Sequence, residues 1–180
     1  MRERGGRRAA IVQAAFRQVA EVGFEGLRLR QIAEDVGIDH STLHHHFPGK
    51  REIVASVAEY TIGQFAAVLP EAFDPAESLR GYLAHLRELL EHSPALFVVT
   101  AELDLRARRD PIVRAVMQAH EANWRRSLRD MLAKRDDWAP GVDAGDITEL
   151  IIAVVKGVQL APEAADAAFG QLDALLSGMA

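Results

Sequence analysis

The stretch GIDHSTLHHHFPGK, Gly37 to Lys50, puts three consecutive histidines inside a chain of 180 residues, far from either end. What surrounds them decides the fold. Upstream, Leu29, Ile32, Ala33 and Val36 recur at helical spacing and stop at Gly37, a residue that ends helices by taking the left-handed conformation. Asp39 follows where an N-cap carboxylate accepts from backbone N–H groups two or three residues on. The spacing predicts a short helix over 40–46, with Leu43 and Phe47 as its apolar contacts. Two short helices joined by a tight, glycine-containing turn make a helix-turn-helix, whose second helix fits the DNA major groove.

Working outward, Ile11, Ala15, Val19 and Val12, Phe16, Ala20 predict a first helix over about 7–22, stopped by Gly23. A long helix is expected from Lys50 to about Leu69, with Ile53, Val57, Tyr60 and Thr61 on one side. Further on, Asp74-Pro75, Ser93-Pro94 and Asp110-Pro111 each pair a capping residue with a proline at the first helical position. Helices should therefore begin near 75, 94 and 111, and Glu77 completes a capping box with Asp74. Their apolar stripes are Leu79, Tyr82, Leu83, Leu86, Leu90; then Phe97, Ala101, Leu105; then Val113, Val116, Met117, His120, Trp124, Leu128, Met131. Two more helices follow the turn-rich RDDWAPGVDAGD, one over about 147–158 and one carrying Ala165, Ala168, Phe169, Leu172 and Leu176. No stretch reads as a strand or a repeat, so the fold class is all-α.

Composition agrees with a soluble, globular protein: 49% hydrophobic residues are enough for a packed core. The chain has no cysteine, which removes disulfides and thiolate metal sites and suits a reducing compartment. The basic opening MRERGGRR leads into a short apolar run broken by Arg17 and Gln18, unlike a secretory leader or a membrane span. A cytoplasmic protein without membrane contact is expected. The net charge is −5, but residues 1–50 hold eight Lys/Arg against six Asp/Glu and four of the seven histidines, and the remainder holds 13 against 20. That asymmetry suggests a nucleic-acid-facing N-terminal part on an acidic body.

Side chains of successive helical residues point about 100° apart, so His44, His45 and His46 do not converge on one metal ion. His40 and His44 could share one, but no third ligand stands nearby at a recognisable spacing. No metal site is expected. The histidines are either solvated groups on an exposed helix or, with Ser41, Thr42 and Lys50 beside them, donors to phosphates and base edges. A phosphate favours the charged imidazole, so DNA binding should take up protons and be tighter near pH 6 than near pH 8.

From Ile11 to about Val57 the sequence resembles the TetR family of bacterial transcriptional regulators. The resemblance lies in AAFRQVAEVGFEG, IAEDVGI and TLHHHFPGK, about a quarter of the chain. It implies an N-terminal three-helix helix-turn-helix domain over residues 1–49 and a helical effector-binding and dimerisation domain over 50–180. Carried over by position, Thr42 and Lys50 match residues that hold the phosphate backbone, and His40, Ser41 and His44 match residues that face bases. His45 and His46 match neighbours touching bases or phosphates, and Arg30 matches a position that often reaches the groove. Two departures stand out. His44 replaces the usual tyrosine, so base preference cannot be borrowed, and Arg28 stands where Ser or Thr usually caps the second helix, offering a phosphate partner instead.

Residues 147–158 are apolar on more than one face, including Ile152 and Val155. That suits either a buried core helix or a subunit interface. The family's four-helix interface, two helices from each subunit, favours dimerisation through Ile147, Leu150, Ile151, Val154, Val158, Phe169, Leu172 and Leu176. His120 and Trp124 share an apolar stripe, and with Tyr60, Gln64 and Phe97 they are candidates for an effector pocket, a mainly apolar wall with few polar groups. A tryptophan such as Trp124 on the apolar face of a helix is more often plain core.

The chain has no Gly-rich phosphate loop and no Gly-x-Ser-x-Gly elbow, and His85 and His92 with Glu88 and Glu91 read as the wet side of an amphipathic helix. Neither enzyme activity nor a cofactor is expected. The expected partners are an operator in double-stranded DNA, a second copy of the chain, and an unidentified small apolar or aromatic effector that releases a repressor. Two alternatives remain open: a helical dimeric protein-interaction module, and a DNA-binding regulator without a ligand.

Overall fold

The computed structural model describes residues 2–68, 75–135 and 138–178, apart from the side chains of residues 2–5, 66–68 and 75–78. Among the described residues the chain is helical, without strands: α1 (Arg2–Gly26), α2 (Leu29–Val36), α3 (His40–His46), α4 (Lys50–Val68), α5 (Pro75–His92), α6 (Pro94–Ala107), α7 (Pro111–Leu132), α8 (Ala144–Leu160), a 3-10 turn (Pro162–Ala164) and α9 (Ala165–Gly178). No helix among the described residues is long and apolar enough to cross a membrane.

The three proline starts stand at Pro75, Pro94 and Pro111. Asp110 caps α7 by accepting from the N–H groups of Ile112 and Val113. The capping box of Asp74 and Glu77 lies outside the described residues. Gly23 breaks the regular part of α1 with φ 66°, and Gly37 closes α2 with φ 69°, both left-handed values that glycine adopts freely.

The chain forms two compact units. The first comprises residues 1–66 and 98–117, the second residues 67–97 and 118–180. The sequence divides the chain at 49/50, but α4 packs with the three helices before it. Ile53, Val54, Val57 and Ala58 are fully buried in one cluster with Ile11, Leu43 and Phe47. Val99 and Leu103 of α6, and Val113 and Met117 of α7, close the same core. On α6 the buried positions are Leu96, Phe97, Val99, Thr100 and Leu103, whereas Leu105 of the expected stripe is 59% exposed.

In the second unit α9 packs against α5 and α8. The whole expected α5 stripe, Leu79, Tyr82, Leu83, Leu86 and Leu90, is buried there. Ion pairs tie the helices at the rim, Arg87 to Asp166 at 2.7 Å and Lys156 to Glu121 at 2.6 Å. Burial alone would raise the Glu121 carboxyl, but the hydrogen bonds and charges of Lys156 and Arg125 outweigh it and hold the pKa below its ordinary value.

Candidate nucleic-acid interface

The outward residues of the first unit converge on α3. His40, Ser41, His44 and His45 are exposed, Thr42 and His46 half-buried, and Leu43 and Phe47 wholly buried. The apolar pair anchors the helix inward and leaves one polar face free. Arg8 of α1 braces its C-terminal end, donating to the His46 carbonyl at 2.9 Å and lying 4.0 Å over the Phe47 ring.

Asp39 holds the other end. Its carboxylate accepts from the Thr42 N–H at 2.7 Å, the Ser41 hydroxyl at 2.7 Å and the Thr42 hydroxyl at 3.1 Å. The Ser41 hydroxyl first, then the Thr42 backbone and side chain, hold the Asp39 pKa down at about 2. Each hydroxyl has one proton, and both are turned to Asp39. Ser41 and Thr42 therefore face outward as acceptors, and Thr42 must leave its cap before donating to a phosphate.

A group whose folded pKa is depressed stabilises the fold above its ordinary value, here 3.8, and that support is lost as pH falls toward 2. At neutral pH the cap is fully charged. Asp39→Ala should fray α3 and weaken duplex binding several-fold, and Asp39→Asn, which keeps an acceptor, less so. Amide hydrogen exchange at Thr42 reads the cap directly, and unchanged protection there in Asp39→Ala would contradict it.

The second helix lacks a side-chain cap at Arg28, as the sequence suggests. The buried Gln18 side chain, which the sequence reading passes over, replaces it. Its carbonyl accepts from the Arg28 N–H at 3.2 Å and its amide donates to Asp35 at 3.2 Å, so one residue of α1 grips both ends of α2. The Arg28 guanidinium turns back onto the Glu25 and Leu27 carbonyls. Arg30 pairs with Glu34 at 3.1 Å in the open, a bond weak enough for a phosphate to replace.

Lys50 behaves differently from the expectation. Its ammonium donates to the Phe24 and Leu27 carbonyls, each at 3.0 Å, and so closes the C-terminal end of α1. Desolvation first, then the charges of Arg28 and Arg106, lower its pKa. Its charge is spent inside the unit. The neighbouring Phe24 N–H donates to Glu102 of α6 at 3.2 Å, a second tie missed from sequence.

A short, capped second helix with a free polar face, braced on a three-helix core, is the arrangement that enters a DNA groove. The sequence model described as "Bacterial regulatory proteins, tetR family" matches residues 11–57, which span α2, α3 and their supports. Through this region the chain is similar to the TetR family. The HTH-type transcriptional repressor KstR2 of Mycolicibacterium smegmatis is 31% identical over 97 residues, 52% of this chain and 47% of that protein. The repressor AcnR of Corynebacterium glutamicum is 26% identical over 132 residues, 72% and 66% of the two chains. The KstR2 match thus spans about half of that relative's length. A TetR transcription regulator from Haloarcula marismortui shares the fold, with a TM-score of 0.87 over 97% of this chain and 98% of its own, at 20% identity.

The residues expected to form a TetR-type effector pocket fall in both units. In the first, Tyr60 meets Phe16 edge to face at 5.4 Å, and Gln64 is half-buried. In the second, Phe97 is buried, and the His120 and Trp124 rings lie nearly parallel at 6.3 Å. Trp124 Nε1–H donates to the Tyr82 hydroxyl at 2.5 Å. Burial raises the Tyr82 pKa despite that bond, so the phenol stays neutral. Tyr82 was read only as core. A cleft of about 920 Å³ in the first unit, lined by Phe24, Lys50, Arg51, Arg106, Arg108 and Arg109 among others, includes none of the five expected pocket residues.

The interface assignment also needs correction. Ile147, Ile151, Val158, Phe169, Leu172 and Leu176 are buried within the single chain, because α8 and α9 pack these faces inward. Of the expected set, Val154 is half-buried and Leu150 is 38% exposed. The outward apolar residues are Leu150 with Ala153, Gly157 and Leu160 on α8, and Ala174 and Leu175 on α9. Leu160 is 75% and Leu175 45% exposed.

Proposed function

We propose that this chain is a cytoplasmic transcriptional repressor that binds a palindromic operator as a homodimer and is released by a small apolar or aromatic effector. The observation that carries this reading is the exposed face of α3, with His40, Ser41, His44 and His45 free of the core that Leu43 and Phe47 anchor. Arg30 adds a phosphate partner, since its exposed bond to Glu34 is readily exchanged. The half-buried His46 lies at the end of α3. One such helix reads too few base pairs for high specificity, and two-fold pairing on two half-sites supplies the rest.

The exposed apolar residues of α8 and α9 support the dimer. Leu150, Leu160 and Leu175 would be covered by a second copy, with Ala153, Gly157 and Ala174 letting the helices approach closely. An effector would meet the half-buried rings of His120 and Trp124 in the second unit, and it changes DNA affinity only by binding two conformations unequally.

The test is selection of bound duplexes from a random library, with the wild type and a His40→Ala/His45→Ala variant compared at two salt concentrations. These two side chains are exposed, so the fold should survive their loss. Recovery of a two-fold symmetric sequence that the variant loses is the expected result, and that operator then serves to screen effectors by release. Weak, salt-sensitive and sequence-blind binding would instead favour a protein-interaction module.

A further inference from the structure

Within α3, His44 has a bond that fixes its chemistry. Its Nδ1 lies 3.2 Å from the Pro48 carbonyl oxygen. A carbonyl has no proton to give, so the proton of this bond sits on Nδ1. In the neutral ring Nε2 then carries a lone pair and accepts; in the charged ring the same atom carries a proton and donates. The side chain is exposed on the polar face of α3.

Resting on the operator-binding reading above, we propose that His44 reads different bases in its two protonation states, so that operator preference changes with pH. As an acceptor, Nε2 fits the N6 amino group of adenine or the N4 amino group of cytosine. As a donor, it fits N7 or O6 of guanine, N7 of adenine or O4 of thymine. A tyrosine or an arginine at this position has no such inversion in the neutral range. Histidine is the side chain whose charge change ordinarily lies between about pH 5 and pH 8, so the two states are compared at about pH 6 and pH 8.

The charged groups packed around His44 have partners of their own or stand exposed. On α3, the His40 ring lies edge to face at 4.4 Å. Asp39 is occupied by its cap. From α1, Arg8 is directed to the His46 carbonyl and Ser56. From α2, Arg30 is paired with Glu34. From α4, Lys50 donates to the Phe24 and Leu27 carbonyls, with Arg51 and Glu52 exposed beside it.

Two measurements test this. Nitrogen-15 NMR of the free protein at about pH 8, with the His44 resonances identified by their loss in His44→Gln, should show the Nδ1–H tautomer. An Nε2–H tautomer overturns the proposal whatever the DNA results. Duplex selection is then run at about pH 6 and pH 8 at constant salt. One symmetric position should change from C at high pH to G or T at low pH, with about tenfold enrichment each way, while adenine, which presents both a donor and an acceptor, separates the two states least. The His44→Gln operator, read by an amide that donates and accepts at any pH, should be the same at both. One wild-type operator at both pH values, or a change that persists in His44→Gln, overturns the switch but leaves the operator-binding reading standing. If no specific sequence is recovered at either pH, both fall together.

Discussion

Phe47→Ala should unfold the DNA-facing unit before it affects anything else. Phe47 is wholly buried in the cluster that joins α1, α3 and α4, and it is among the largest fully buried side chains of the molecule. Truncating a buried phenylalanine removes its transfer free energy and leaves a cavity, about 3–5 kcal/mol together. It also removes the ring beneath the Arg8 guanidinium, whose bonds to the His46 carbonyl and Ser56 depend on that position. A domain of this size has only about 5–15 kcal/mol to lose. Its melting temperature should fall by more than about 10 °C, with Phe47→Leu well behind. A thermal transition monitored at α3, for instance by exchange of the Leu43 amide, checks this, and a shift within about 3 °C would mean that the ring does not anchor the helix.

Lys50→Ala should also be costly, and for a reason that a DNA-binding assay alone would misread. The loss removes two charge-assisted bonds to the Phe24 and Leu27 carbonyls. Such bonds are worth about 1.5–3 kcal/mol each when buried. Here the ammonium is half-buried and stands near the Arg28 and Arg106 charges, so its removal also relieves repulsion. A net cost of about 1–3 kcal/mol follows. Operator affinity will fall with the population of folded reader, but the slope of log affinity against log salt should stay at the wild-type value, because no phosphate contact is lost. A slope smaller by about one per subunit would show that Lys50 leaves α1 to meet the DNA.

Local chemistry was legible in the sequence. Gly37, Asp39 and the apolar pair Leu43 and Phe47 define α3 by themselves, and the Asp-Pro and Ser-Pro pairs fix where the middle helices begin, because caps and φ preferences act within a few residues. What escaped depends on partners far along the chain. Gln18 reads as one polar residue of a helix, and nothing near it in sequence says that it reaches Arg28 and Asp35. The same holds for Glu102 at the Phe24 N–H and for Tyr82 beneath Trp124.

The outward reading of Lys50 comes from the resemblance, which matches it to a residue that holds the phosphate backbone. The Leu27 and Phe24 carbonyls that draw it inward are 23 and 26 residues away. For α8, an all-round apolar pattern has two solutions, core or interface, and periodicity does not distinguish them. Ile147 and Ile151 took the first, leaving Leu150 and Leu160 outside.

The first unit is discontinuous: its core draws Val99, Leu103, Val113 and Met117 from beyond a thirty-one-residue excursion into the second unit, residues 67–97. A chain leaving the ribosome therefore has α3 long before it has the side chains that finish the core beneath it. Closing that loop adds an entropic cost that grows only slowly with its length, but the closing contacts must wait for synthesis to pass residue 117. Until then, part of an apolar surface stays open to chaperones or to neighbouring nascent chains. The same connectivity makes the reader a poor cassette for gene fusion. Cut after α4, it would leave behind four of its own core residues.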